Sequence, residues 1–127
     1  MAIEAVEDCA ARGVKVALVM TSGFGETTDP QAQAKQLRMV ERARAAGMRL
    51  IGPNCQGLAN FGTGLVANFS TIFNELEARD GPVAIVSQSG ANSQAIYTLL
   101  RDKGLFARHV HATGNEADVT EIMERHV

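Results

Sequence analysis

The stretch Pro82–Gly104, PVAIVSQSGANSQAIYTLLRDKG, decides the fold that we expect for this chain. It opens with four apolar residues, Val83–Val86, three of which are valine or isoleucine. Small or polar residues fill positions 87–93. Apolar residues then recur at helical spacing, at Ala95, Ile96, Leu99 and Leu100. The stretch therefore predicts a buried strand over 82–87, a Ser/Gly turn, and a helix over 91–103.

The rest of the chain repeats this alternation of helices and strands. Apolar spacing and the stop at Gly13 predict a first helix over 2–11. The predicted elements that follow are a strand over 14–20, a helix over 31–46, a strand over 48–52, a strand over 107–112 and a last helix from about 118. Alternation of this kind predicts an α/β fold with a parallel sheet.

The segment 53–81 interrupts the alternation. It is rich in glycine and contains Pro53. Within it, 65–70 resembles a short strand, and 71–80 resembles a short helix or an irregular link. We therefore expect a connecting region there, with a unit on either side. Since each unit would contain few strong strands, and so small a sheet buries little apolar area, the chain resembles parts of two domains more than one complete domain.

Composition excludes several classes of function. The chain has 127 residues, 46% of them apolar and 20% charged, with a formal net charge of −2, which is typical of a globular domain. Because it has no basic block and no apolar run of about 18 residues, we expect neither nucleic acid nor membrane as a partner. The N-terminus does not resemble a secretion signal, and the two cysteines are far apart with no Cys/His cluster of metal-binding spacing. We expect a cytoplasmic, reduced, metal-free protein.

The Ser/Gly turn at 87–91 could hold a nucleophile or bind an anion. A nucleophile elbow has the pattern G-x-S-x-G, but Ser87 and Ala91 stand where its glycines belong around Ser89. The candidate bases His109 and His111 lie two apart, on one face of a predicted strand, and His126 is near the end of the chain. The residues therefore favour a site where the first amides of the helix meet an anion. Simple capping of the helix by Ser89 uses the same groups and stays open as an alternative.

Four motifs, in this order, carry a resemblance to a known family. They are GVKVALVMTSGFGE, GMRLIGPNCQGLAN, GPVAIVSQSGANSQAI and VHATGNEADVT. Together they resemble the NDP-forming acyl-CoA synthetases, the superfamily of succinyl-CoA synthetase and ADP-forming acetate–CoA ligase. The resemblance covers nearly the whole chain. It implies parts of two doubly wound parallel-sheet domains: the C-terminal part of a Rossmann-like CoA-binding domain over 1–58, a linker over 59–80, and the N-terminal part of a flavodoxin-like ligase domain over 81–127.

The resemblance also implies binding residues. In the family, acyl phosphate and CoA are interconverted with acyl-CoA, and phosphate passes to a nucleoside diphosphate through a phosphohistidine. The implied phosphate-binding residues are Ser89, Gly90 and Ala91. The implied CoA-binding residues are Met20, Thr21, Ser22 and Asn54. For the buried-looking Cys55 we expect packing, and for Glu116 and Asp118 of GNEAD we expect capping or a turn.

Other parts of the family pattern are missing from this sequence. The glycine-rich first turn of the CoA-binding domain would precede Met1, and the phosphohistidine would follow Val127. ADP, ATP and Mg²⁺ would then act only through domains that this chain lacks, so we expect no catalytic residue, no metal site and no ligase activity of the chain alone. The expected partners are CoA, acyl phosphate and the rest of the synthetase, on the same polypeptide or on a β-type subunit. Two rival hypotheses are a synthetase-like regulatory module of a protein acetyltransferase and a standalone CoA-binding module.

Overall fold

The computed structural model of the protein describes residues 2–117. Contacts divide these residues into two compact units. Unit 1 comprises residues 2–55 and 115–117, and unit 2 comprises Gln56–Gly114. The chain therefore passes from one unit to the other twice, after Cys55 and after Gly114.

Unit 1 is a small α/β unit. Its elements are α1 (Ala2–Ala11), β1 (Val16–Leu18), α2 (Pro30–Ala45) and β2 (Arg49–Ile51). The two strands pair in parallel, with Ala17 opposite Leu50. Asp29 caps α2 by accepting the Gln31 amide at 2.9 Å, and Pro30 occupies the first turn, where its missing N–H costs nothing.

The core of unit 1 lies between its helices and the sheet. Its buried members are Val6, Val19, Phe24, Met39, Val40, Ala43, Met48 and Leu50. Four of them are fully excluded from solvent: Met39, Ala43, Met48 and Leu50. On α2, buried Met39, Val40 and Ala43 recur at spacings of one, three and four residues, the pattern of a helix that buries one face.

Unit 2 is built on a four-stranded mixed sheet. Its elements are β3 (Gly57–Asn60), β4 (Leu65–Asn68), α3 (Ile72–Glu75), β5 (Val83–Ser87), α4 (Gly90–Asp102) and β6 (Ala107–Ala112). The strand order is β4-β3-β6-β5. β5 and β6 are parallel and are joined through α4, whereas β3 runs antiparallel to both β4 and β6. The β5–α4–β6 segment is thus one βαβ crossover.

An aromatic cluster forms the centre of the unit 2 core. The Tyr97 ring, on α4, stacks on Phe61 at 5.4 Å between centroids and meets Phe73 edge-on at 5.3 Å. Ile85 of β5 and Val110 of β6 are buried with these rings. Because Tyr97 and Ser93 are four residues apart, both lie on the buried face of α4.

The sequence predicted the α/β class and most elements correctly. The predicted strand over 14–20 is shorter, covering Val16–Leu18 only. The strand predicted as buried over 82–87 is buried only in part, since Ile85 is buried but Val86 is 43% exposed. β5 is an edge strand whose residues alternate between a covered and an open face within the described part of the chain. The helix predicted from about 118 lies outside the described residues.

The connecting region was interpreted too simply. Residues 59–80, predicted as a linker, include part of β3 and all of β4 and α3, and this stretch belongs to unit 2. Its strands also make the sheet mixed rather than parallel. Sequence analysis missed β3 because its four residues, GLAN, show no extended apolar run, and its partner β6 is distant in sequence. The assignment of the chain to named domains with the bounds given above remains a prediction.

No helix within residues 2–117 combines the length and the apolar character that crossing a lipid bilayer requires.

Candidate functional site

The turn between β5 and α4 is shaped by its own serines. Ser87 Oγ donates to Ser89 O at 3.0 Å and accepts the Ser89 amide at 3.2 Å. Ser89 has extended backbone angles and caps α4 by accepting the Asn92 amide at 3.3 Å. Ser93 Oγ donates to Gly90 O at 2.7 Å, and its side chain is buried. Ser89 therefore caps α4, the role that was left open as an alternative.

Two backbone amides at this helix start are open to a ligand. Within residues 2–117, the N–H groups of Gly90 and Ala91 have no hydrogen-bond acceptor. Ala91 is exposed and Gly90 is half-buried. Since α4 is 13 residues long, its peptide dipoles add a partial positive charge at these amides. The two amides can therefore donate hydrogen bonds to one or two oxygens of an anion.

Gly90 lies in close contact with Gln56. A Cβ at Gly90 would lie 2.6 Å from Gln56 Oε1 and 2.7 Å from Gln56 Cβ. A side chain at position 90 would thus clash with Gln56, which packs against the helix start. Among residues 2–117, no hydrogen-bond partner is present for the buried Gln56 Oε1.

The geometry does not support a serine nucleophile. The hydroxyl of Ser89 is used for capping, and its bonding partners are backbone groups. His109 and His111 lie on one face of β6 as predicted, with ring centroids 5.7 Å apart, and His111 is buried. His126 lies outside the described residues.

In unit 1, the structure brings together most of the predicted CoA-binding residues. Thr21 and Ser22 follow β1 and are exposed, and Met20 is half-buried. The Asn54 amide donates to Thr21 O at 2.9 Å, which ties the turn after β2 to the turn after β1. Asn54 has a φ of 53°, a left-handed conformation that asparagine tolerates better than most residues.

An apolar groove lies beside this segment. It measures about 220 Å³ and is lined by Met20 and Thr21 together with residues of β1 and α1, among them Val6 and Cys9. Cys55, for which packing was expected, is buried, and its thiol donates to Val19 O at 3.4 Å. No observation at Cys55 suggests thiol chemistry.

Sequence analysis missed a polar network in unit 1 that involves Glu26, Gln36 and Asn115. The Glu26 carboxylate accepts the backbone amides of Gly23 and, at 3.1 Å, Phe24. Asn115 Nδ2 donates to Glu26 Oε2 at 2.6 Å and to Gln36 Oε1 at 2.8 Å. Gln36 Oε1 also accepts the Gly25 amide, at 2.8 Å.

This network changes the acidity of Glu26. Desolvation raises the pKa of the carboxyl group, but hydrogen bonds from Asn115 and from the amides of Gly23, Glu26 and Phe24 together lower it to about 2. Glu26 is therefore ionised near neutral pH. The motifs GFGE and GNE contain two of the network residues, but no spacing in the sequence indicates that residues 26 and 115 meet.

The remaining acidic candidates are Glu116 and Asp118, for which capping or a turn was expected. Glu116 is exposed and has a φ of 58°, which agrees with its predicted place in a turn. Asp118 lies outside the described residues. Among residues 2–117, no group of three or more His, Cys, Asp or Glu side chains could hold a metal ion.

Comparison with known proteins gives the family. Residues 80–123 match the family model of the succinyl-CoA ligase like flavodoxin domain. The α subunit of ADP-forming acetate–CoA ligase II from Pyrococcus furiosus is 37% identical over 120 residues, which are 92% of this chain and 25% of that protein. The chain thus spans about a quarter of the length of this curated relative.

Solved structures show the same architecture. A crystal structure of a Pyrococcus horikoshii OT3 protein matches 98% of this chain and 28% of its own, with 35% identity and a TM-score of 0.85. The dinucleotide forming acetyl-coenzyme A synthetase 1 of Ca. Korarchaeum cryptofilum, solved in complex with phosphate and ADP, matches 98% of this chain and 26% of its own, with 30% identity and a TM-score of 0.84. Sequence motifs, fold and relatives agree, and the chain belongs to the NDP-forming acyl-CoA synthetase family.

Proposed function

We propose that this chain supplies two binding elements of an ADP-forming acid–CoA ligase. The first is a phosphoryl-binding turn in unit 2, formed by Ser89, Gly90 and Ala91. The second is a set of CoA contacts in unit 1, formed by Met20, Thr21, Ser22 and Asn54. The observation that carries the proposal is the pair of unbonded amides, Gly90 and Ala91, at the start of a 13-residue helix.

The chemistry of the turn suits a phosphoryl group. Unpaired amides and the helix dipole favour an anion by about 0.3–1 kcal/mol at an exposed site, and by more where water is partly excluded. The side chains of the turn are neutral, so the site binds charge without a competing cation or carboxylate. The relative solved with phosphate and ADP supports this ligand class.

The chemistry of the unit 1 segment suits an extended ligand with polar and apolar parts. Thr21 and Ser22 present exposed hydroxyl and backbone groups, while Met20 lines the apolar groove beside them. Such a surface can bind a pantetheine chain through hydrogen bonds on one side and apolar contact on the other.

The chemical steps of the ligase are proposed to involve other parts of the enzyme. In the whole reaction, acyl-CoA and inorganic phosphate would give acyl phosphate and CoA. The phosphoryl group would then pass to a histidine with release of the free acid, and from the phosphohistidine to ADP. The residues described here would bind and orient the phosphoryl group and CoA, and none of them is proposed to form a covalent bond. ADP, ATP and Mg²⁺ would bind to the rest of the synthetase, on the same polypeptide or on a β-type subunit.

Titration with inorganic phosphate tests the turn. We expect the ¹H–¹⁵N signals of Gly90 and Ala91 to shift in the wild-type chain. Ala91→Glu places a carboxylate at the helix start, where it stabilises the helix but repels phosphate by about 1 kcal/mol at ~4 Å in water, so affinity should fall about fivefold. Leu99→Glu, an exposed position two turns later, adds the same charge and should leave the phosphate shifts unchanged. Equal phosphate affinity in Ala91→Glu and wild type would contradict the site.

Titration with CoA tests the second element. We expect amide shifts at Thr21, Ser22 and Asn54, with few shifts in α3. Asn54→Gly keeps the left-handed backbone accessible and removes the side chain, so it should weaken CoA binding without unfolding unit 1. CoA shifts that avoid all three residues, or that persist unchanged in Asn54→Gly, would overturn this assignment.

A further inference from the structure

Asn115 joins three separate segments of unit 1. Its backbone amide donates to Pro53 O at 2.9 Å. Its side-chain Nδ2 donates to Glu26 Oε2 at 2.6 Å and to Gln36 Oε1 at 2.8 Å. Its Oδ1 accepts from Asn54 Nδ2 at 3.3 Å. Both donors and the acceptor of the side-chain amide are therefore in use.

The two acceptors bound by Asn115 in turn hold the loop after β1. Glu26 accepts the amides of Gly23 and Phe24, and Gln36 accepts the amide of Gly25. Three consecutive backbone amides thus depend on two side chains, both of which Asn115 holds in place. This loop directly follows Thr21 and Ser22, so its conformation sets where they point.

Asn115 also bonds to the turn after β2, which contains the other proposed CoA-binding residue, Asn54. It bonds to both the backbone of Pro53 and the side chain of Asn54. The amide of Asn54 is bound to Thr21 O. One residue therefore connects the turns after β1 and after β2.

We propose that Asn115 is a positioning residue for CoA, which holds Thr21, Ser22 and Asn54 in their binding arrangement by fixing Glu26 and Gln36. The inference rests on the CoA contacts proposed above. Asn115 acts through its neighbours and is not itself proposed to touch the ligand.

The chemistry of the position requires an amide. Glu26 Oε2 and Gln36 Oε1 are both acceptors, so the group between them must supply two hydrogens. Asn115→Asp has the same shape but replaces the NH₂ group by an oxygen, which would face a carboxylate. The variant thus breaks the network with little change in packing.

The experiment compares wild type, Asn115→Asp and Asn74→Asp by CoA titration and by amide hydrogen exchange. Asn74 lies exposed on α3, so its variant controls for the added charge. In Asn115→Asp we expect CoA affinity to fall about tenfold, as for loss of one charge-assisted hydrogen bond. Exchange should accelerate at Gly23, Phe24 and Gly25 but not at the core residues of α2.

A second substitution distinguishes positioning from general damage. Glu26→Gln combined with Asn115→Asp reverses donor and acceptor, so Gln Nε2 can donate to the new carboxylate while Gln Oε1 still accepts an amide. We expect this double variant to regain part of the CoA affinity. If the two substitutions caused independent structural defects, their losses of affinity would add instead.

The outcomes separate this proposal from the proposed function. Wild type that binds CoA, together with an Asn115→Asp variant of equal affinity, would overturn the positioning role. If wild type does not bind CoA, the proposed CoA contacts are wrong. In that case, unchanged amide exchange at Gly23–Gly25 in Asn115→Asp would also refute control of the loop by Asn115. Faster exchange throughout α2 would show a structural role only and would refute positioning.

Discussion

The two candidate sites are held in shape by different kinds of interaction. In unit 1, the loop after β1 is held by side chains, since the amides of residues 23–25 all bond to Glu26 or Gln36. In unit 2, the turn after β5 is short, its serines bond locally, and its open amides belong to a 13-residue helix. A loop held by a few side chains is sensitive to pH and to single polar substitutions. A site made from helix amides depends mainly on the packing that holds the helix in place.

Substitution in a core gives the largest expected change in stability. Leu50 is fully buried in unit 1, so Leu50→Ala should destabilise that unit by about 2–5 kcal/mol. Urea unfolding followed by far-UV circular dichroism measures the change. Leu37→Ala, at an exposed position on α2, is the matched control and should change stability by less than about 0.5 kcal/mol.

The same variant tests whether the two cores are separate. The chain contains one tyrosine, Tyr97, and no tryptophan, so its fluorescence reports on unit 2. We expect Leu50→Ala to shift the tyrosine transition less than the circular dichroism transition. Equal shifts of both signals would contradict the separation of the cores.

Acid titration tests the loop after β1. We expect a smaller change in stability here than for Leu50→Ala. Glu26 has a pKa of about 2 in the folded chain, against an ordinary value of 4.5. Because the folded value is the lower one, the stabilisation from Glu26 is fully present above about pH 4.5 and is lost as pH falls through about 2. The carboxyl signal in ¹³C NMR should show this pKa directly.

Substitution of Asn115 should change the pKa of Glu26. Asn115→Ala deletes a donor to the Glu26 carboxylate, so the pKa of Glu26 should rise toward 4.5. Asn74→Ala is the control and should leave it unchanged. A wild-type titration centred near 4.5 would show that the network does not hold Glu26 as described.

The smallest expected effect concerns the core of unit 2. Within residues 2–117, the buried Tyr97 hydroxyl has no hydrogen-bond partner; burial raises its pKa, while nearby Arg101 lowers it to a smaller extent. Tyr97→Phe removes an unsatisfied polar group and keeps the stacked ring, so we expect stability to stay equal or rise by about 1 kcal/mol. Far-UV circular dichroism in urea measures this. A loss of stability would indicate that the hydroxyl has a bonding partner after all.

Local patterns in the sequence predicted the elements well. Alternating helix and strand signals gave the α/β class, and Ser89, which was considered as a cap, lies at the start of α4 and caps it. These features are readable because apolar periodicity and capping involve residues within a few positions of one another.

The site in unit 1 was only partly predictable. The motif resemblance selected Thr21 and Asn54, and the structure joins them by a backbone hydrogen bond. It did not identify Glu26, Gln36 or Asn115 as one network. The hydrogen bond between Asn115 and Glu26 spans 89 positions, and no periodic pattern in the sequence indicates such a contact.

By itself, the sequence determined most of the segments that form helices and strands, with β3 as an exception, and the turns that follow the predicted strands. Only the tertiary structure decided that β3 pairs with β6, that Gln56 packs on Gly90, and that Asn115 returns to the loop after β1. The physical reason is distance along the chain. Local free energies of capping and periodic burial are encoded in neighbouring residues, whereas strand pairing and polar networks depend on which distant groups folding brings within hydrogen-bonding range.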